Sequence, residues 1–164
     1  MTTFFRTVLS LTLLAFLLSG AAVAAQLTDK KGLTPEVAKK MAAAAEEEAV
    51  KNNWRVVIAI LDDGANLVYL QRLDDTQAGS IEVAIQKAKT AVNFKRPTKV
   101  LEDAVAGGRM VILSLPGALP IEGGLPILVD GKVIGGIGVS GVTAAQDGQI
   151  AKAGADALPK ILGR

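Results

Sequence analysis

Two turn clusters, each set between apolar β-branched runs, constrain this chain more than any other feature. The first is Asp62-Asp63-Gly64-Ala65-Asn66, between Trp54–Leu61 and Leu67–Leu73. The second is Asp130-Gly131, between Leu125–Val129 and Lys132–Val139. Aspartate followed by glycine between apolar runs is a strong local hairpin signal, because both residues tolerate the positive φ that a tight turn needs. Two hairpins require an antiparallel sheet, and a sheet this apolar must be covered.

The segments between the hairpins supply the cover. Thr34-Pro35 opens a helix running to about Asn52, with Val37, Met41, Ala44, Ala45 and Ala49 at helical spacing. Ser80 is expected to cap a second helix carrying Ile81, Ala84, Ile85, Ala88 and Val92 on one face, stopped by Pro97. A short helix over 98–106 should end at Gly107-Gly108, and Thr143–Leu158 reads as the last helix. Arg109–Leu113 is expected to form a further strand, which would bring the sheet to five. Ser114–Pro126 mixes prolines and glycines with Leu and Ile, and reads as an ordered loop. The fold class is therefore α/β (α+β): an antiparallel sheet of five strands with helices on its faces. No internal repeat divides it.

The first residues have a different character. Arg6 precedes an apolar stretch, Val8–Leu18, and Gly20 leads into the small residues Ala21, Ala22, Val23, Ala24 and Ala25. This is the pattern of a cleavable signal peptide over 1–25, cut after Ala24 or Ala25. It predicts a periplasmic or secreted product, residues 26–164, forming one domain with no stable membrane span after cleavage. The near-neutral charge argues against a nucleic-acid partner.

Two absences narrow the chemistry. The sequence has no His and no Cys. Imidazole or thiolate zinc sites and Ser-His-Asp or Cys-His catalysis are therefore excluded, and no disulfide framework supports the fold. No catalytic residue and no metal ligand is expected from these patterns.

Gly136-Ile137-Gly138-Val139-Ser140-Gly141 matches the dinucleotide pattern G-x-G-x-x-G, but the βαβ unit and the later acidic residue that the pattern needs are missing. These glycines are better read as letting a strand approach a packed helix or a ligand closely. Lys87, Lys89, Lys95, Arg96 and Lys99 cluster without an acid between them, with Phe94 among them. They form either a solvated helix face or a site for a flat anionic ligand, its ring on Phe94 and its carboxylates on Lys87 or Arg96. Glu122, beside Gly123 and Gly124 in the Pro/Gly loop, could meet a ligand or fasten a turn.

Taken in order, several stretches resemble the GlcG/HbpS family, which includes the C-terminal domain of PduO-type proteins. They are Asp62–Val68, Ser80-Ile81 through Lys87–Ala91, Pro120–Ile127, and Gly135–Gly141 followed by Thr143–Asp147. The resemblance runs from about Leu33 to Leu158. It implies a profilin-like three-layer α/β/α fold, homo-oligomers, and haem or a related tetrapyrrole as ligand. Many relatives carry His where Asn66 stands. An axial iron ligand here would have to be Met41, Met110, Tyr69, a lysine or a hydroxyl such as that of Thr143. The ligand-binding expectation therefore falls on Lys87, Phe94, Arg96, Glu122, Gly123 and Gly124, in a non-catalytic protein that stores, scavenges or senses haem. Two alternatives remain: an enzyme or accessory subunit acting on a small carboxylate through Asp63, Lys87, Arg96 and Glu122, and an oligomeric interaction protein without a small ligand.

Overall fold

In the computed structural model the hairpins form where the turn chemistry places them. β1 (Val57–Asp62) and β2 (Leu67–Arg72) pair antiparallel, as do β3 (Gly124–Val129) and β4 (Lys132–Ser140). The structure describes residues 27 and 29–164, so the segment read as a signal peptide lies outside the described residues. Residues 31–164 make one compact unit; Leu27, Asp29 and Lys30 belong to a separate one, residues 1–30, and carry no helix or strand.

The two hairpins join through their inner strands. β1 lies antiparallel to β4, from Val57 opposite Ser140 to Asp62 opposite Gly135. The sheet order is β2-β1-β4-β3, four strands and not the five expected. Asp62 ties the first turn, its Oδ1 accepting from the amides of Gly64 (2.9 Å) and Asn66 (2.8 Å). At the second turn Asp130 and Gly131 both adopt positive φ, 51° and 74°, which matches the twist of the flanking strands.

The missing fifth strand is a 3-10 helix, Met110–Ser114. The apolar run Met-Val-Ile-Leu suits a tight helix as well as a strand. Its backbone is satisfied locally instead: Ile112 N–H donates to Arg109 O (3.2 Å) and Leu115 N–H to Ile112 O (3.1 Å). Only Ile112 of Met110, Val111, Ile112 and Leu113 is buried.

Helices cover both faces of the sheet. On one side α1 (Pro35–Lys51), α4 (Ala144–Asp156) and the short α5 (Leu158–Ile161) pack through Ala38, Met41, Ala45, Ile150 and Leu158 onto Ile58, Ile60, Ile137 and Val139. On the other, α2 (Ser80–Phe94) sets Ala84 and Ala88 against Val57, Ala59 and Leu61. With both faces covered, β1 is apolar from Val57 to Leu61 rather than alternating. α3 (Thr98–Ala106) follows α2 after Pro97.

Helix ends obey capping chemistry, with one correction. Thr34 Oγ1 accepts from Val37 N–H at the start of α1, and Thr143 and Gln146 form a reciprocal capping box on α4. Ser80 does not cap α2. It is the first helical residue and fully buried, and its Oγ accepts from Gln77 Nε2 (3.1 Å). No helix among the described residues is long and apolar enough to cross a membrane.

Candidate functional site

α2 carries most of the residues to which sequence points, and its helical period sends them in different directions. Ala84 and Ala88 face the sheet. Lys87 leaves the helix toward the loop that leads into β3. It is 1% exposed, and its Nζ donates to Asp147 Oδ2 at 2.7 Å. Asp147 is 2% exposed and belongs to α4, on the opposite face of the sheet. The ion pair thus joins the two helical layers past the start of β3.

The Gly123-Gly124 pair makes that passage possible. Gly123 has φ +123°, and a Cβ there would lie 2.8 Å from Lys87 Nζ and 2.9 Å from Asp147 Cβ. A Cβ on Gly124 would lie 2.3 Å from Lys87 O. Thr98 pins the same point, since Gly124 N–H donates to Thr98 Oγ1 at 2.9 Å. Gly123 O accepts from Val139 N–H (2.9 Å), which fixes the loop to β4.

The electrostatics of the pair follow from its burial. Loss of water raises the Asp147 carboxyl above the usual carboxylate range. The Lys87 ammonium and the amides of Val142 and Gly141 act against that rise. Val142 N–H donates to Asp147 Oδ1 at 3.2 Å. Both charges are therefore directed inward, and Lys87 belongs neither to a solvated face nor to a cation site open to a ligand.

The other expected residues separate around this pair. Glu122 is half-buried: its amide donates to the Glu102 carboxylate, and its side chain lies over Gly148 of α4, whose added Cβ would meet Glu122 Oε1 at 2.7 Å. Glu122 thus fastens the loop. Phe94 is half-buried at the end of α2, where Lys95 turns into the left-handed conformation (φ 51°). Arg96 is exposed, and its Nε donates to Phe94 O (3.0 Å). Lys99 is committed to Asp103 on α3. The structure brings together Lys87, Glu122, Gly123 and Gly124 as one packed unit and leaves Phe94, Lys95 and Arg96 as a more exposed group.

The axial-ligand candidates do not converge. Met41 is wholly buried in the core between α1 and the sheet, so no ring can reach its sulfur without opening that core. Tyr69 packs against the same core from β2, its hydroxyl donating to Gln71 Oε1 at 3.3 Å. Met110 is 58% exposed. Asn66 donates through Nδ2 to both Asp62 oxygens at 3.2 Å and serves the turn. Nor do the groups named for a carboxylate substrate meet: Asp63 lies in the β1–β2 turn, Lys87 is sealed, and Arg96 is in solvent.

One cavity, of about 170 Å³, opens beside the β3–β4 turn between Leu128, Val129, Leu158, Leu162 and Arg164. It is smaller than the ~300–1,000 Å³ of ordinary ligand pockets. Asp130, on its rim, is held below the usual carboxylate range by Lys31 and, more weakly, by Arg164. Among the described residues no group of three or more acidic side chains is placed to hold a metal ion.

The fold and these placements can be set beside known proteins. The family model described as "Haem degrading protein HbpS-like" matches residues 33–156. The chain belongs to that family. Protein GlcG of Escherichia coli strain K12 is 45% identical over 108 residues, covering 66% of this chain and 81% of GlcG. A double mutant of Streptomyces reticuli HbpS superimposes with TM-score 0.74 at 37% identity, covering 85% of this chain and 98% of that one. A PduOC:Heme complex superimposes with TM-score 0.70 at 30% identity, covering 77% and 95%. Asp147, the buried partner of Lys87, was the site residue that charge clustering could not single out. It stands sixty positions away, and its only local signal is being the lone acid in a helix start rich in alanine.

Proposed function

We propose that this protein binds haem or a related tetrapyrrole, holding the ring by apolar contact and its propionates by cations. The observation that carries the reading is its likeness to a haem complex across most of both chains, within a family described by haem chemistry. The residues present fit part of what haem asks of a site. Half-buried Phe94 beside exposed Lys95 and Arg96 supplies a ring contact and two cations at the end of α2. Imidazole ligation does not fit, because the chain has no His, and the sulfur within reach of solvent, that of Met110, is a weak ligand. Iron coordination in this reading is weak or absent, and ring contact with propionate pairing supplies the binding.

The role proposed is storage, scavenging or sensing rather than catalysis, by a homo-oligomer carried to the periplasm or outside the cell. Residues 8–25 support the export step through their resemblance to a signal peptide.

Titration with haemin, followed at the Soret band, tests the reading. A saturable shift at micromolar haemin is expected. Arg96→Glu should weaken it by about tenfold to a hundredfold, the loss of one charge-assisted contact being worth about 1.5–3 kcal/mol. The absence of any saturable shift in the wild type would end the proposal.

A further inference from the structure

The cavity beside the β3–β4 turn takes no part in haem binding as proposed, and its walls and rim differ in kind. Leu128, Val129, Leu158 and Leu162 wall a space of about 170 Å³, and Asp130 and Arg164 stand at its rim. Val129 and Leu158 belong to the core on the α1, α4 and α5 side of the sheet. Leu128 and Leu162 are 52% and 41% exposed, so the mouth leaves apolar surface in water. Apolar walls with a few convergent polar groups are the form of a small-molecule site.

Size and charge together select the occupant. An apolar cavity of about 150 Å³ is enough to hold benzene, so this one takes a body of about six carbons and is far too small for a tetrapyrrole. The rim brings two cations to one acid: Lys31 Nζ donates to Asp130 Oδ2 at 2.6 Å, and Arg164 Nη1 to Asp130 Oδ1 at 3.0 Å. Two cations and one acid leave a single positive charge, which one carboxylate neutralises. Asp130 meets the guanidinium at Nη1 alone, whereas the planar fork carries several N–H donors and suits a second carboxylate.

The site is held ready. Leu162 N–H donates to Leu158 O (3.0 Å) and Arg164 N–H to Pro159 O (2.9 Å), which fixes the last residues against α5. Asp130 and Gly131 lock the facing turn with positive φ at both positions. A preorganised site loses little freedom when a ligand enters.

The geometry points to a second ligand site here, for a monocarboxylate with a compact apolar body, seated among the leucines with its carboxylate on the Arg164 fork. Lys31 is the second cation within reach of that carboxylate. The site stands apart from the haem reading, since Phe94, Lys95 and Arg96 lie at the end of α2, the helix that covers the other face of the sheet.

Benzoate is the probe, titrated into haem-free protein expressed from the whole chain and followed by backbone amide chemical shifts. Saturable shifts at Val129, Leu158 and Leu162 are expected, with a Kd of about a millimolar for so small a body. Acetate keeps the charge without the body, and benzamide keeps the body without the charge; each should bind at least about fivefold more weakly. Arg164→Gln should weaken benzoate about fivefold, the scale of an exposed charge contact. Asp130→Asn should tighten it by about the same factor, because both cations are released while Asn-Gly keeps the turn. Both residues are exposed, so melting should stay unchanged in either variant. No saturable shift up to roughly tens of millimolar benzoate would overturn the site. Shifts gathered at Phe94, Lys95 and Arg96, acetate matching benzoate, or Asp130→Asn binding no better than wild type would each overturn it as well.

Discussion

Replacing Lys87 with alanine is expected to destabilise the fold by about 3–5 kcal/mol in urea denaturation, the cost of leaving one partner of a buried ion pair uncompensated. The charge left behind is Asp147, 2% exposed, with only the Val142 and Gly141 amides to support it. Removing both charges together should hurt less: Lys87→Met with Asp147→Leu is expected to recover most of the loss, because well-packed apolar replacements of buried pairs are often neutral or better.

The pH dependence has a definite sign. Burial already raises Asp147, so the folded state binds its proton more tightly than the unfolded state does. Stability from this group is fully present below the unfolded pKa of about 3.9 and is lost as pH rises through the folded value. In Lys87→Ala the opposing ammonium is gone and that window widens upward. The variant should therefore lose stability as pH rises above the unfolded value of about 3.9, over a wider range than the wild type, whose lysine limits the rise. Parallel pH profiles of urea midpoints for the two proteins check this.

The second large effect is expected at Gly138. A Cβ there would lie 2.1 Å from Ala84 O and 2.6 Å from Ala88 N, both backbone atoms of α2, so no side chain can swing away to relieve the overlap. Helix and sheet would have to separate. Gly138→Ala should cost about 3 kcal/mol or more, at the upper end of overpacking. That corresponds to a fall of about 10 °C or more in melting temperature. Gly79→Ala is the control: its φ is −60° and nothing stands within 4 Å of the added carbon, so its melting should scarcely move.

Gly138 also shows why much of the architecture was legible from sequence. A glycine-rich strand reads as one approached closely by a helix or a ligand, and the structure shows the helix, with Ala84 and Ala88 against it. The hairpins were legible because Asp62–Asn66 and Asp130-Gly131 act within a few residues of themselves. Arg109–Leu113 misled because an apolar β-branched run suits a strand and a tight helix equally, and what decides between them is whether a sheet edge takes it. Ser80 misled because serine at a helix start usually caps it, and only the packed structure shows its hydroxyl turned inward.

Lys87 failed for a different reason. Near Lys89, Lys95, Arg96 and Lys99 it looks like one cation of a surface group, and helical spacing alone cannot reveal an acid arriving from another layer. Its removal from that group leaves Arg96 and Lys95 beside Phe94 as the cations in reach of a ligand, and no sequence rule foretold that division.

The most direct measurement of the central claim compares haemin with iron-free protoporphyrin on the same protein. If apolar contact and propionate pairing hold the ring, the two should bind within about tenfold of each other, since a difference of ~1.4 kcal/mol is all that a weak or absent iron ligand would add. Haemin binding more than a hundredfold tighter, or neither ring binding at all, would contradict the account.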